Sequence, residues 1–143
     1  MAKSPSVQLL DEASASERLL AAGIQSTRQR LHIAQMLLTG NQHLSADQVL
    51  AQMKSSGKPV SKATVYNTLG LFAARGLLRE VIIDPNRVFY DTNCSPHHHV
   101  YNTATGELSD IDLKYVLPEQ LSGLPDGTKL EGVDVVIRVR PAD

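Results

Sequence analysis

Four apolar runs at helical spacing, each ending at a glycine, give way after Gly76 to a period of two, and this switch constrains the fold most. "SASERLLAAG" (14–23) stops at Gly23. In "STRQRLHIAQMLLTG" (26–40), Ser26 or Thr27 can cap, and Leu31, Ala34, Leu37 and Leu38 form one face before Gly40. "LSADQVLAQMKSSG" starts at Ser45 with Gln48 three residues on, a capping-box spacing, and stops at Gly57. "VSKATVYNTLGLFAARG" (60–76) is capped by Ser61 and carries Val65, Leu69, Phe72 and Ala73 on one face. Gly70 lies inside that last run and costs it about 1 kcal/mol against alanine. Beyond Gly76, "LLREVII" and "RVFYDT" read as two strands joined by the turn tripeptide "DPN".

Helices followed by a two-stranded hairpin describe a winged helix, whose last helix enters the major groove of DNA. The solvent face of that helix is expected to hold Lys62, Ala63, Thr64, Tyr66 and Asn67. Asn67 suits adenine, Ala63 and Tyr66 suit a thymine methyl, and Lys62 and Thr64 suit phosphates. Arg28 and the hairpin tip at Arg87 complete the expected DNA-facing set. Any amphipathic helical segment presents some such face, so DNA binding is here an expectation from pattern.

Charge supports it weakly. Residues 1–92 hold ten Lys/Arg against seven acids, whereas residues 93–143 hold four against eight. A basic front suits a polyanion and an acidic back suits cations. No stretch is long and apolar enough to span a membrane, and no secretion signal is read at the N-terminus. The single cysteine, Cys94, allows no internal disulfide, so a cytoplasmic setting is expected. Cys94 can be a ligand or a redox sensor, but a lone thiol more often packs as a small apolar group.

In the last fifty residues short extended runs alternate with turns, "HVYN", "TATG", "ELSDID" and then "DVVIRVR", with a short helix near "LPEQLSGLPDG". Val133, Val135, Ile137 and Val139 alternate with Asp134, Arg138 and Arg140, the pattern of a strand with one buried face. So small a module cannot bury much surface alone, so it is expected to pair with a second copy.

"FYDTNCSPHHHVYN" (89–102) carries the chemistry. On an extended strand His97 and His99 point one way and His98 the other. Asp91 lies on the preceding strand, Asp110 on the partner strand of a hairpin turning near "TATGE", and His43 in the loop before the third helix. Two or three imidazoles with one or two carboxylates suit Fe(II), Mn(II) or Zn(II). A four-thiolate zinc site is excluded by cysteine count. Haem stays open, because adjacent histidines can be axial ligands. So does a polar loop whose histidines are satisfied by hydrogen bonds.

"AGIQSTRQRLHI", "HLSADQVL", "VSKATVYNTLGLF", "GLLREV" and "FYDTNCSPHHHVYNTATGELSDID" together resemble the ferric uptake regulator (Fur) family in order and spacing, from about residue 17 onward. "STRQR", "VSKATVYNTL", "FYDTN" before a triple histidine and the ending "VDVVIRVR" look most like its Irr-like branch, the iron-response regulators. The resemblance implies an α+β chain: a winged-helix DNA-binding domain (1–92) followed by a small α/β dimerisation and metal-sensing domain (93–143). It implies a homodimeric regulator, a repressor of iron homeostasis genes, bound to an AT-rich palindromic operator. The implied ligands are His43, Asp91, His97, His99 and Asp110, for Fe(II) or Mn(II), with Zn(II) taken up in vitro. Tyr66 matches the family's base-contacting tyrosine, and Asn67 is its neighbour.

Departures accompany the match. The paired CxxC zinc motifs of many relatives are absent. Pro96, Leu117 and Val133 stand where second-site ligands would be, leaving only His98 for a second site or haem. The Cys-Pro haem motif is missing as well. Asp91 in place of Glu resembles peroxide-sensing (PerR-like) relatives, so a peroxide-responsive or haem-responsive regulator is the alternative. A metalloenzyme is the competing class, but no residue is left over as a general base, so no enzyme activity is expected.

Overall fold

Asp11 accepts the Ser14 backbone N–H at 2.7 Å, and this cap opens helix α1 (Glu12–Ala21). The computed structural model describes residues 9–95, 97–112, 122–131 and 133–143. Thr27 caps α2 (Arg28–Leu37), which ends before Gly40. Strand β1 (His43–Ser45) leads directly into α3 (Ala46–Ser55), where Ser45 and Gln48 exchange both bonds of a capping box. Ser61 caps α4 (Lys62–Ala74). The hairpin follows as β2 (Arg79–Asp84) and β3 (Arg87–Asp91), its turn closed by the Asn86 N–H donating to Asp84 Oδ1 at 2.8 Å.

The chain divides into two compact units between Cys94 and Ser95. In the first, the four helices bury one apolar face each: Ala15 and Leu19, Ile33 and Leu37, Val49 and Met53, and Val65, Leu69 and Phe72. The hairpin carries a third strand, in the order β1–β3–β2. His43 is therefore a strand residue, not a loop residue as its polar neighbourhood suggests. Three residues of "HLS" have no period of their own, and the pairing of β1 with β3 makes them a strand.

Helix α4 runs through Gly70 unbroken, and Gly70 is exposed with nothing within 4 Å of where a side chain would start. Neither packing nor backbone conformation needs a glycine there. Gly70→Ala is expected to stabilise the first unit by about 1 kcal/mol, read as a shift in the urea unfolding midpoint at constant slope.

The second unit, in its described residues, is a three-stranded sheet in the order β5–β4–β6, with β4 at His98–Asn102, β5 at Leu108–Ile111 and β6 at Val136–Val139. The β4–β5 pair is antiparallel and the β4–β6 pair parallel. The hairpin turns at "TATG", as its sequence suggests, held by the Asn102 side chain accepting the Ala104 and Thr105 N–H groups. The expected strand over 133–139 shortens to its last four residues. Its expected buried face is only half covered, and Val139 is 38% exposed. Of the helix expected near "LPEQLSGLPDG", residues 117–121 lie outside the described residues, and 122–127 are not helical. No helix among the described residues is long and apolar enough to cross a membrane.

Candidate metal centre and nucleic-acid face

Strand register alone brings the first imidazole to the first carboxylate. Residues directly opposite in an antiparallel pair share a face, with Cβ atoms about 5 Å apart. His43 is opposite Asp91 in the β1–β3 ladder, and its Nε2 lies 3.2 Å from Asp91 Oδ2. The other oxygen, Oδ1, accepts the Asn93 backbone N–H at 2.9 Å. Asp91 is 0% exposed. A buried carboxylate is costly unless cations or donors compensate it, and here the His43 ring and the Asn93 N–H stand against its two oxygens.

The second unit repeats the device. His99 is opposite Asp110 in the β4–β5 ladder, and its Nε2 lies 3.6 Å from Asp110 Oδ1. His97, two residues earlier, shares that side of the chain and reaches the same oxygen at 3.2 Å. The two rings meet edge to face with centroids 4.6 Å apart. His97 Nδ1 lies 2.6 Å from the Ser95 carbonyl oxygen, which can only accept, so Nδ1 carries the proton. With Nδ1 so engaged, Nε2 is the ring nitrogen that faces the carboxylate oxygen. An imidazole locked through its far nitrogen to a backbone carbonyl is the usual support of a metal-ligating histidine. His98 points the other way, and its Nδ1 accepts the Val135 N–H at 3.2 Å, tying β4 to the approach of β6.

The distances test the fit to a metal. With bonds of about 2.1 Å, two ligands of one ion stand about 3.0 Å apart on an octahedral edge and about 3.4 Å apart on a tetrahedral one. The two separations of 3.2 Å fall between those values, and the third, 3.6 Å, lies just above the larger. The donors are imidazole nitrogen and carboxylate oxygen, the set that suits Fe(II), Mn(II) and Zn(II). The residues fit such an ion. Cys94 is exposed rather than packed, its Sγ donating to the Gly76 carbonyl at 3.4 Å. Partial desolvation, then the nearby Asp91 charge, raise its pKa, so the thiol stays protonated at neutral pH.

The outer face of α4 exposes four of the five residues expected there. Lys62, Ala63, Tyr66 and Asn67 are exposed, Tyr66 at 46%, with Gly70 on the same side. Lys62 Nζ sits 5.9 Å from the centre of the Tyr66 ring, so the pair stands together as a cation on an aromatic face. Thr64 is half-buried, and its hydroxyl is bonded to Ser61 at 2.8 Å, where it reinforces the cap. Arg28 is exposed at the start of α2, and Arg87 at the turn sits 3.6 Å from Asp84. A cleft of about 370 Å³ separates Tyr66 from the start of α3 and from Arg87 and its neighbours on β3.

Helices, a three-stranded wing and a following sheet unit define an α+β protein of the winged-helix class, built as a DNA-binding domain followed by a dimerisation domain. The chain belongs to the ferric uptake regulator family, whose model matches residues 21–138. It is therefore a transcriptional regulator of the metal-responsive kind. Among curated proteins it is 31% identical to the peroxide-responsive repressor PerR of Staphylococcus aureus over 102 residues, 71% of this chain and 68% of the relative. Among solved structures it is similar to the ferric uptake regulator of Pseudomonas aeruginosa with manganese, at 28% identity and a TM-score of 0.69, covering 90% of this chain and 98% of that one. The Vibrio cholerae ferric uptake regulator shares the fold at 19% identity and a TM-score of 0.72, covering 88% and 98%.

Sequence reasoning missed two supports of these residues. The Ser95 carbonyl and the β1–β3 pairing are backbone features, and no side-chain pattern announces them.

Proposed function

We propose that the protein is an iron- or manganese-responsive repressor that acts in the cytoplasm as a homodimer on a palindromic AT-rich operator. Fe(II), or Mn(II) in its place, is held by His43, Asp91, His97, His99 and Asp110. The observation that carries this reading is the locked His97 ring, whose Nε2 faces an Asp110 oxygen already approached by His99. When bound, the ion supplies charge and fixed coordination. The chain supplies pre-set donors: one His–Asp pair beside the wing, and two histidines around one carboxylate on the sheet. An ion with unequal affinity for two arrangements of the chain shifts the population toward one of them, and operator affinity follows.

Lys62, Tyr66 and Asn67 form the reading face, and Arg28, Thr64 and Arg87 add phosphate contacts at its margins. Homodimerisation is supported by the thin second unit, whose β6 leaves Val139 exposed. The proposal is tested by operator affinity with and without Mn(II) for wild type and for His97→Ala. Metal is expected to change wild-type affinity at least tenfold and to leave His97→Ala unmoved. Four equal affinities would remove the switch. Binding itself should fall steeply with salt, as phosphate contacts require.

A second reading, peroxide sensing, is favoured by Asp91 and by relatives described as peroxide-responsive repressors. Under it, dilute peroxide abolishes operator binding by the iron-loaded protein, adding oxygen to a ligand histidine, and spares the manganese-loaded protein. Equal resistance of both forms excludes it.

A further inference from the structure

Gln42 and Thr92 stand immediately outside the His43–Asp91 pair, one before β1 and one after β3. The Gln42 N–H donates to Thr92 Oγ1 at 2.9 Å, and the Thr92 N–H donates to the Gln42 carbonyl at 3.1 Å. The Thr92 hydroxyl donates in turn to the Gly40 carbonyl at 2.9 Å. These bonds extend the β1–β3 ladder by one rung beyond the pair and close the loop that leads into it.

The Gln42 side chain turns the other way. Its Nε2 lies 3.1 Å from the Met36 carbonyl, 2.8 Å from the Leu37 carbonyl and 3.1 Å from Thr39 Oγ1. Met36 and Leu37 are the last residues of α2, where helical carbonyls have no partner within the helix. One residue thus caps the end of α2 through its side chain and anchors the start of β1 through its backbone. Hydrogen bonds of Gln42 and Thr92, together with their covalent links to His43 and Asp91, thus connect the end of α2 to the His43–Asp91 pair.

We infer that Gln42 and Thr92 are positioning residues for the His43–Asp91 pair, and that through them an ion held by that pair is felt at the C-terminal end of α2. The inference rests on the metal-binding reading above. The Thr92 hydroxyl holds the His43 backbone in register with Asp91, so the imidazole and carboxylate meet at ligand spacing before any ion arrives. Gln42 carries any tightening of that register to the last turn of α2.

The test compares Thr92→Val, which keeps the shape and loses the hydroxyl, with Thr92→Ser, which keeps the hydroxyl. Thr92→Val is expected to weaken Mn(II) binding roughly tenfold to a hundredfold, as loss of an outer-shell partner does elsewhere, and Thr92→Ser to restore most of it. A second readout is backbone hydrogen exchange. In wild type, Mn(II) slows exchange in the peptide spanning the end of α2, and in Thr92→Val that added protection disappears while apo exchange in the core stays unchanged. If Thr92→Val does not fold, Gln42→Met, which keeps the backbone bonds and loses the cap, is read the same way: Mn(II) still binds and the added protection at α2 is lost. Wild-type Mn(II) affinity in Thr92→Val, or equal weakening in Thr92→Ser, overturns the inference. His43→Ala separates the two levels. If it too binds Mn(II) as wild type does, the metal reading itself has failed; if it weakens binding while Thr92→Val does not, only the positioning role has failed.

Discussion

Replacing His99 with alanine is expected to lower Mn(II) affinity at least about a hundredfold and to leave operator binding insensitive to metal. His99 is 1% exposed and sits in the central strand of its sheet, opposite Asp110. Its backbone N–H is fixed to the Val135 carbonyl at 3.1 Å, so the ring has little freedom to point elsewhere. Outer partners of metal ligands typically cost tenfold to a hundredfold when removed, and a buried ligand should cost at least the upper end of that range. His97, half-buried and just before the central strand, is expected to lose less on truncation. Competition with a metal-sensing dye measures both, with melting of the metal-free proteins as the control for folding. Wild-type affinity in His99→Ala would show that the buried ring serves packing alone.

The largest effect on stability is expected at Phe72. It is 0% exposed on α4 and packs in the same core as Leu19, Ile33, Leu37 and Val49, so it helps join all four helices. Phe72→Ala removes an aromatic side chain from a close-packed site and should cost about 3–5 kcal/mol. Domains of this size are typically stable by about 5–15 kcal/mol, so the first unit would be left marginal, its melting temperature lowered on the order of 20 °C. Circular dichroism melting of the whole chain reads the loss. A shift of only a few degrees would mean that the core collapses onto the vacancy and that Phe72 is not central. Paired with Gly70→Ala, which is expected to move stability the other way, it separates the packed side of α4 from its open side.

Much of the first unit was legible before any coordinates. Ser45, Ser61 and Thr27 announced the helix starts because capping is a contact between residues three apart. The exposed Lys62, Ala63, Tyr66 and Asn67 followed from the spacing of Val65, Leu69 and Phe72 on the opposite side. His97, His99 and Asp110 also emerged from local rules: alternation along one strand and a short hairpin between its partners. The two-stranded wing was wrong by one strand, because β1 exists only through its pairing with β3. Cys94 was expected to pack and does not, since its surroundings depend on where the Gly76 turn lies.

Residue identity and spacing were enough for the helices, their caps, the wing turn, the kinds of donor atom and the side of β4 on which two imidazoles stand, because all of these are settled within a few residues along the chain. Long-range pairing decided the rest: that His43 meets Asp91 across β1 and β3, that Gln42 and Thr92 brace them, and that β6 lies parallel to β4 with Val139 uncovered. Such contacts close loops of many residues at an entropic cost that only the assembled core repays, so no short window of sequence encodes them.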